Sequence, residues 1–412
     1  MTDQRNCKSV SPQRRRLLKA GAAAVALPFP AVLRAQSSAL KVGVILPTSG
    51  VLSFPGLATK RGTELAVKMF LEQGVRLDVS YVDTESKAEN GRVAAEKLIR
   101  EGCGILVGAW DSGTTISAAQ AAEAARVPLV VNIGSAPQIT EQGFTQVFRN
   151  FTSAVQLVTN TVARIKELPR SRDFDPKTTV IMHVNDTFGQ AMFGGVKALW
   201  EKLGVGIRIV DTISYDARAR DLSVEVAKAK ATGADIVAPI TRVNDAILIV
   251  REMVKQDYNP MAIIGPGSPG PYEKAFTDAL GKYSNDYIVC VPWYDPSHPM
   301  TRRVLDRWRK EFPNERFELN SGFGWEGIQV VADAYQRAKS TRPADLHAAL
   351  RQTNVTNHIM FGGPIVFDAK GQNNNIGGPM IQIQNQEPVV IAPNDIAQGR
   401  AVLPMTRWSA RG

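Results

Sequence analysis

Cysteine is scarce. The 412-residue chain has three, and with Cys7 in a distinctive N-terminal stretch only Cys103 and Cys290 remain. Two cysteines so far apart, in a chain that is 44% hydrophobic and able to build a large core, do not make a disulfide scaffold. Histidine is as sparse: His183, His298, His347 and His358 show no ligand spacing among themselves or with the cysteines, so no metal centre is expected. No apolar run after the first thirty-five residues is long enough to span a bilayer. The sequence also lacks a Gly-x-Ser-x-Gly elbow, and no strand-end serine has a histidine placed by a motif to activate it, which leaves hydrolytic chemistry without support.

A formal net charge of +10 would suggest an acidic partner, but its distribution removes that reading. Seven basic side chains and one acid fall within residues 1–35, so that segment carries +6 and the rest of the chain only +4. A mildly basic chain without a clustered basic face gives no case for nucleic acid. The first segment itself, Arg14-Arg15-Arg16-Leu17-Leu18-Lys19 followed by a small, apolar run from Ala20 to Val32, reads as an export signal of twin-arginine type, with Gln13 where that motif usually has Ser or Thr and the general secretory route as the alternative. Residues 1–35 are therefore expected to be removed, leaving a soluble protein in the periplasm.

From Leu40 onward, short β-rich runs alternate with segments of helical period, the mark of βαβ units and a parallel sheet covered on both faces. Strands are expected at Leu40–Leu46, Leu77–Val82, Ile105–Val107 and Leu129–Val131, with helices over Leu57–Phe70, Gly91–Ile99 and Ile116–Ala125. A second series follows, with strands at Thr179–Val184, Val205–Thr212, Ile236–Ala238, Met261–Ile264 and Tyr287–Val291. Its helices are expected over Gly195–Lys202, Leu222–Ala231 and Ala246–Gln256. After Val291 the order changes, with helices at Thr301–Phe312, Gly327–Ala338 and Ala344–Arg351 before late β-runs at Pro364–Phe367, Met380–Gln384 and Val389–Ile391. The economical fold is α/β: two doubly wound parallel-sheet lobes joined by three chain crossings that form a hinge. Residues 36–151 and 293–359 would make the N-terminal lobe, 152–292 and 360–393 the C-terminal lobe, and 394–412 a tail.

One stretch, Ile263-Ile264-Gly265-Pro266-Gly267-Ser268-Pro269-Gly270-Pro271-Tyr272, has the Gly-x-Gly-x-x-Gly spacing of a dinucleotide loop. Three prolines withhold backbone donors from it. The following strand places Asp286 at its wrong end to hold a ribose, so no nucleotide cofactor is expected. The stretch instead echoes Ile133-Gly134-Ser135-Ala136-Pro137 of the first series, and both follow a strand. In open α/β sheets ligands bind beyond strand C-termini, so two such edges facing each other would form a cleft. The loop Val107-Gly108-Ala109-Trp110-Asp111-Ser112-Gly113-Thr114-Thr115 enters a helix with hydroxyls that suit a carboxylate; plain N-capping by Asp111 or Ser112 explains the same residues.

The chain from Leu40 to about Pro393 resembles the periplasmic solute receptors of ABC importers, specifically the leucine/isoleucine/valine-binding family with the type I binding-protein fold. The resemblance rests on the order and spacing of KVGVILPTSG, VGAWDSGTT, VPLVVNIGSAPQIT with VFRN, HVNDTFGQ, and FGGPIVFDAKGQNN. It implies a small-molecule ligand held between lobes by hinge closure, a membrane permease as partner, and no catalysis. Ser112 matches the position that holds a ligand carboxylate, Ser135 a second hydroxyl position, and Ile133 a position whose main chain contributes. Phe188 matches a position usually held by tyrosine. Arg242 falls where amino-acid receptors commonly have tyrosine, and Gly267 where they have an acid that neutralises the ligand's ammonium. The family's first-lobe disulfide is missing, Glu85 and Asp111 lying near the matching positions.

An ammonium enclosed without an acidic partner loses several kcal/mol of hydration, whereas Arg242 can pair with a carboxylate. An organic acid, aromatic or with two carboxylates, thus stands beside the amino acid that the family name favours. Asp111, Asp245 or Glu273 could still supply the anion, and Arg242 could instead be a surface residue. Phe54, Trp110 and Trp325 are candidates for an apolar wall or for ordinary core. A sensing receptor feeding a signalling partner would share all these features.

Overall fold

The computed structural model describes residues 39–411. The segment read as an export signal lies outside the described residues. The first sheet is wholly parallel: β1 (Leu40–Leu46), β2 (Leu77–Asp83), β3 (Ile105–Gly108), β4 (Leu129–Val131) and β5 (Val147–Arg149) lie in the order β2-β1-β3-β4-β5. Alternate residues of β3 point to opposite faces, Ile105 and Val107 into one hydrophobic cluster and Leu106 into another, as a strand buried on both sides requires. Helices α1 (Ser53–Glu72), α2 (Asn90–Arg100) and α3 (Ser112–Ala125) cover it, followed by the short α4 (Gln138–Glu141).

The second sheet takes β6 (Thr178–Val184), β7 (Arg208–Tyr215), β8 (Ile236–Ile240), β9 (Ala262–Pro266) and β10 (Ile288–Cys290) in parallel, then β11 (Met380–Gln384) and β12 (Glu387–Ala392) antiparallel, in the order β12-β11-β10-β9-β8-β6-β7. Its helices are α5 (Ala154–Glu167), α6 (Thr187–Leu199), α7 (Ser223–Ala231), α8 (Val243–Lys255) and α9 (Lys274–Leu280). Between β10 and β11 the chain returns to the first lobe as α10 (Pro299–Glu311), α11 (Leu319–Ala338) and α12 (Pro343–Leu350), with α11 packed along α1. The seam is close because it is glycine-lined on both sides. A Cβ on Gly62 would lie 2.0 Å from the Ser321 carbonyl, and one on Gly324 2.2 Å from the Thr59 carbonyl.

The crossings between lobes run side by side. Arg149 and Gln372 form a parallel bridge, and Tyr294 and Met360 an antiparallel one. Buried Glu326 of α11 ties them together: one oxygen accepts from the Ile359 and Met360 amides, both at 3.1 Å, and the other from Asn150 Nδ2 at 2.9 Å. One expected strand needs correction. Pro364–Phe367 is not a strand, because Ile365 and Phe367 make only isolated bridges to Val355 and Asn373. Residues beyond β12 pack on the second lobe, where Trp408 Nε1 donates to the Tyr258 carbonyl at 2.6 Å.

Candidate functional site

The strand C-termini of the two sheets face one another around a cavity of about 420 Å³ of empty space, its mouth included. From the first lobe, the β3 end supplies Trp110, Asp111 and Ser112, and the β4 end Ile133, Gly134 and Ser135. From the second come Phe188 after β6, Arg242 after β8, Gly267, Pro269 and Tyr272 after β9, and Val291 after β10. Leu157 of α5 and Leu319 and Asn320 of α11 complete the wall with Phe151. The lobes also touch outside the cavity. Asn244 Nδ2 donates to the Val51 carbonyl at 3.0 Å, and Arg316 donates to the Tyr272 carbonyl at 3.2 Å and to Glu387 at 2.9 Å.

The first-lobe side is built for an acceptor. Ser112 opens α3, and its hydroxyl oxygen accepts from the Ala136 amide at 3.2 Å, so its proton remains for a ligand. Ser135 is only 3% exposed and its hydroxyl has no partner. Asp111 caps α3, accepting from the Thr114 amide at 3.1 Å and from the Thr114 hydroxyl; burial raises its pKa against those bonds and against Arg242. Arg149 shapes the Ser135 loop from behind, its guanidinium donating to the carbonyls of Ala136 (2.8 Å) and Gly134 (3.3 Å). Burial lowers its pKa to about 9, where Glu141 and Asp368 offer only distant compensation.

Across the cleft, the Arg242 side chain is only 12% exposed, so it is no surface residue. It pairs with Asp186, the cap of α6, and lies over the Phe188 ring at 4.9 Å. The glycine loop is tied to this corner: Ser268 Oγ donates to the Pro239 carbonyl at 2.6 Å and accepts from the Thr241 amide at 3.2 Å. Gly267 sits at φ 63°, and a Cβ there would lie 2.8 Å from Met192 Cε and 3.0 Å from Leu157 Cδ1. The space for an acidic side chain at that point is thus filled by apolar groups.

Seven of the eight sequence-named residues, Trp110, Ser112, Ile133, Ser135, Phe188, Arg242 and Gly267, line this one cavity. Phe54 does not. It is 56% exposed in the first turn of α1 and lines a neighbouring cleft with Arg61, Glu273 and Arg316. Trp325 packs in the core against Phe70, ring centroids 5.6 Å apart. Of the three acids held open as an ammonium partner only Asp111 lines this cavity, and both its oxygens already serve the Thr114 cap of α3. Asp245 accepts from Tyr215 OH at 2.6 Å and the Arg242 amide at 2.8 Å, and burial pushes its pKa up to about 6. Glu273 lies behind Asn320, beside Glu318. Sequence reasoning missed Phe151, Leu157, Tyr272, Val291, Leu319 and Asn320; only Tyr272, at the end of the glycine loop, carried a local signal. Cys103 and Cys290 are free and buried, and among the described residues no cluster of metal-ligating side chains occurs.

Two α/β lobes, hinged by side-by-side crossings and enclosing a cavity between their strand ends, define a solute receptor of the type I periplasmic binding fold. Residues 39–387 match the family described as periplasmic binding protein, and the chain belongs to that family. Its members are binding receptors of transporters, not enzymes. Leu/Ile/Val-binding protein homolog 7 of Brucella abortus is 25% identical over 388 residues, covering 89% of this chain and 95% of that one. The fold is similar to that of a branched-chain amino acid transporter substrate-binding protein of Streptococcus pneumoniae in complex with isoleucine (TM-score 0.72, 18% identity, 89% of this chain and 100% of that one). It is likewise similar to a solute-binding protein of R. palustris in complex with benzoate (TM-score 0.74, 19% identity, 86% and 96%). Among the described residues no helix is long and apolar enough to cross a membrane.

Proposed function

We propose that this chain is the exported, periplasmic receptor of a branched-chain-amino-acid-type ABC importer, and that it delivers to its permease a small carboxylic acid with no ammonium group. The ligand carboxylate takes the free proton of Ser112 and the unpartnered hydroxyl of Ser135, with Arg242 as the nearby cation from the other lobe. The observation that carries this reading is the filled space at Gly267: Leu157 and Met192 occupy the place where an ammonium would need an anion. An ammonium enclosed there would lose several kcal/mol of hydration uncompensated. A structural neighbour in complex with benzoate supports this reading, while one in complex with isoleucine supplies the competing expectation.

The test is a thermal-shift panel of aromatic and aliphatic carboxylates against leucine, isoleucine and valine. Acids are expected to stabilise by about 2.7 kcal/mol at a hundredfold excess over their Kd, and the amino acids at the same concentration by far less. Arg242→Ala is expected to weaken acid binding at least about tenfold through loss of a charge-assisted contact. Strong shifts with leucine and none with simple acids would reject the reading.

A further inference from the structure

Tyr272 is the one fully buried phenol of the second lobe's cavity wall; Asn320 and the Gly270 amide lie near its hydroxyl as donors, but neither makes a hydrogen bond of normal geometry and no acceptor takes its proton. Its position is fixed. The prolines at 269 and 271 stiffen the approach, the ring packs edge-on against Trp293 at 5.4 Å between centroids, and Arg316 holds the carbonyl at 3.2 Å. The nearest polar side chain, Asn320, is already committed: its amide oxygen accepts from Trp110 Nε1 at 2.9 Å, and its NH2 group donates to Glu318 at 3.0 Å and Glu273 at 3.4 Å. A buried hydroxyl left unbonded costs about 1–3 kcal/mol, and a ligand group reaching it would recover that.

We propose that Tyr272 reads a ring hydroxyl on the ligand, so that the molecule captured is a hydroxylated aromatic acid; this rests on the carboxylate reading above. Two features choose among the groups that could meet a phenol. The Glu273 and Glu318 carboxyls behind Asn320 are so desolvated that burial itself disfavours their charge, and a second ligand carboxylate would meet the same penalty, whereas a hydroxyl is neutral and can both donate and accept. Burial, reinforced by these two acids, also raises the Tyr272 pKa well above that of an ordinary phenol, keeping it a neutral donor. Three aromatic residues, Trp110, Phe151 and Phe188, line the cavity and suit a ring, with Leu157 and Val291 also in the wall. Ser112 and Ser135 belong to one lobe and Tyr272 to the other, so a ligand carrying both groups engages both lobes at once.

Calorimetric titration of the wild-type chain and Tyr272→Phe with benzoate, 3-hydroxybenzoate, 4-hydroxybenzoate and terephthalate tests this. The wild type is expected to favour one hydroxybenzoate over benzoate by about tenfold, the worth of one well-made hydrogen bond, and to bind terephthalate more weakly than benzoate. In Tyr272→Phe that preference, taken as the ratio of the two affinities in the variant itself, should fall to within about threefold. A preference surviving in the variant, or a wild type that favours benzoate or terephthalate, overturns the proposal. Wild-type binding of benzoate with no preference among the acids rejects the role of Tyr272 alone. Failure of the wild type to bind any of them rejects the carboxylate reading and this one with it. The wild-type ratios decide the matter even if the variant folds poorly.

Discussion

Ser135 shows how a single side chain can mark a site before any ligand is seen. Its main-chain carbonyl accepts from the Ala154 amide at 2.7 Å, so the backbone is anchored while the buried hydroxyl beside it has nothing to bond. Such a group is a cost in the empty protein and a gain when an acceptor arrives. Ser135→Ala should therefore weaken acid binding by about 1–2 kcal/mol while leaving the melting temperature of the unliganded protein unchanged or slightly higher. Calorimetry and a melt on the same preparation check both halves, and an unliganded form clearly destabilised by the change would make Ser135 structural. Residue type and its place after a strand made Ser112 and Ser135 legible in the sequence. Gly267 was legible only as an absence. That Leu157 and Met192 fill its space depends on two helices distant in the chain, which no local pattern reveals.

At the scale of elements, strands read well because their β-branched runs are buried on both faces, and β1, β4 and β11 run between the expected residues. Helices rich in glycine read poorly. Helix α11 begins at Leu319, eight residues before its expected start at Gly327, because Gly322 and Gly324 look like breakers when Gly324 in fact lets α1 approach and Gly322 leaves room for Met360. Helix α5 went unseen although Ser153 and Gln156 form a reciprocal capping box at its start. The element with the most consequence is α11, whose Glu326 holds crossings from both directions and pairs with His358 Nδ1 at 3.1 Å. Burial alone would lower the His358 pKa, but the Glu326 carboxylate and the Gly363 carbonyl outweigh it and raise the value. Glu326→Gln replaces one two-sided acceptor with an NH2 group facing other donors, and should destabilise by about 3 kcal/mol or more. Chemical denaturation measures it; a loss under about 1 kcal/mol would mean that the crossings are held by their backbone bridges alone.

For the whole molecule, the telling contact is between acids. Glu273 comes from the second lobe and Glu318 from the start of α11, and Asn320 reaches both. Glu318 accepts from the Asn320 amide at 2.9 Å through one oxygen, while its other oxygen is buried without a partner. Burial raises both pKa values, with each carboxyl's neighbours modulating the effect: Glu318 is pushed up to about 7, and Glu273, which also feels Glu318, lies well above the usual carboxylate range. Tyr272 and Arg316 face the same pair, the one neutral and the other a cation committed to Glu387. A carboxyl whose pKa is raised on folding keeps a proton that the unfolded chain has already released, so its contribution is fully present below about pH 4.5 and is lost as pH rises through about 7. The melting temperature should accordingly fall by about 2–5 °C between pH 5 and pH 8 from this pair, and Glu318→Gln should remove most of that slope and raise the value at pH 8. Because the two acids sit on different lobes, closure around a ligand should also draw in protons. Titrations near pH 7.5 in two buffers of different ionisation enthalpy should then give binding enthalpies that differ in the wild type and agree in Glu318→Gln. Identical enthalpies in the wild type would mean that the acids are already together before the ligand arrives, and that the lobes do not part there.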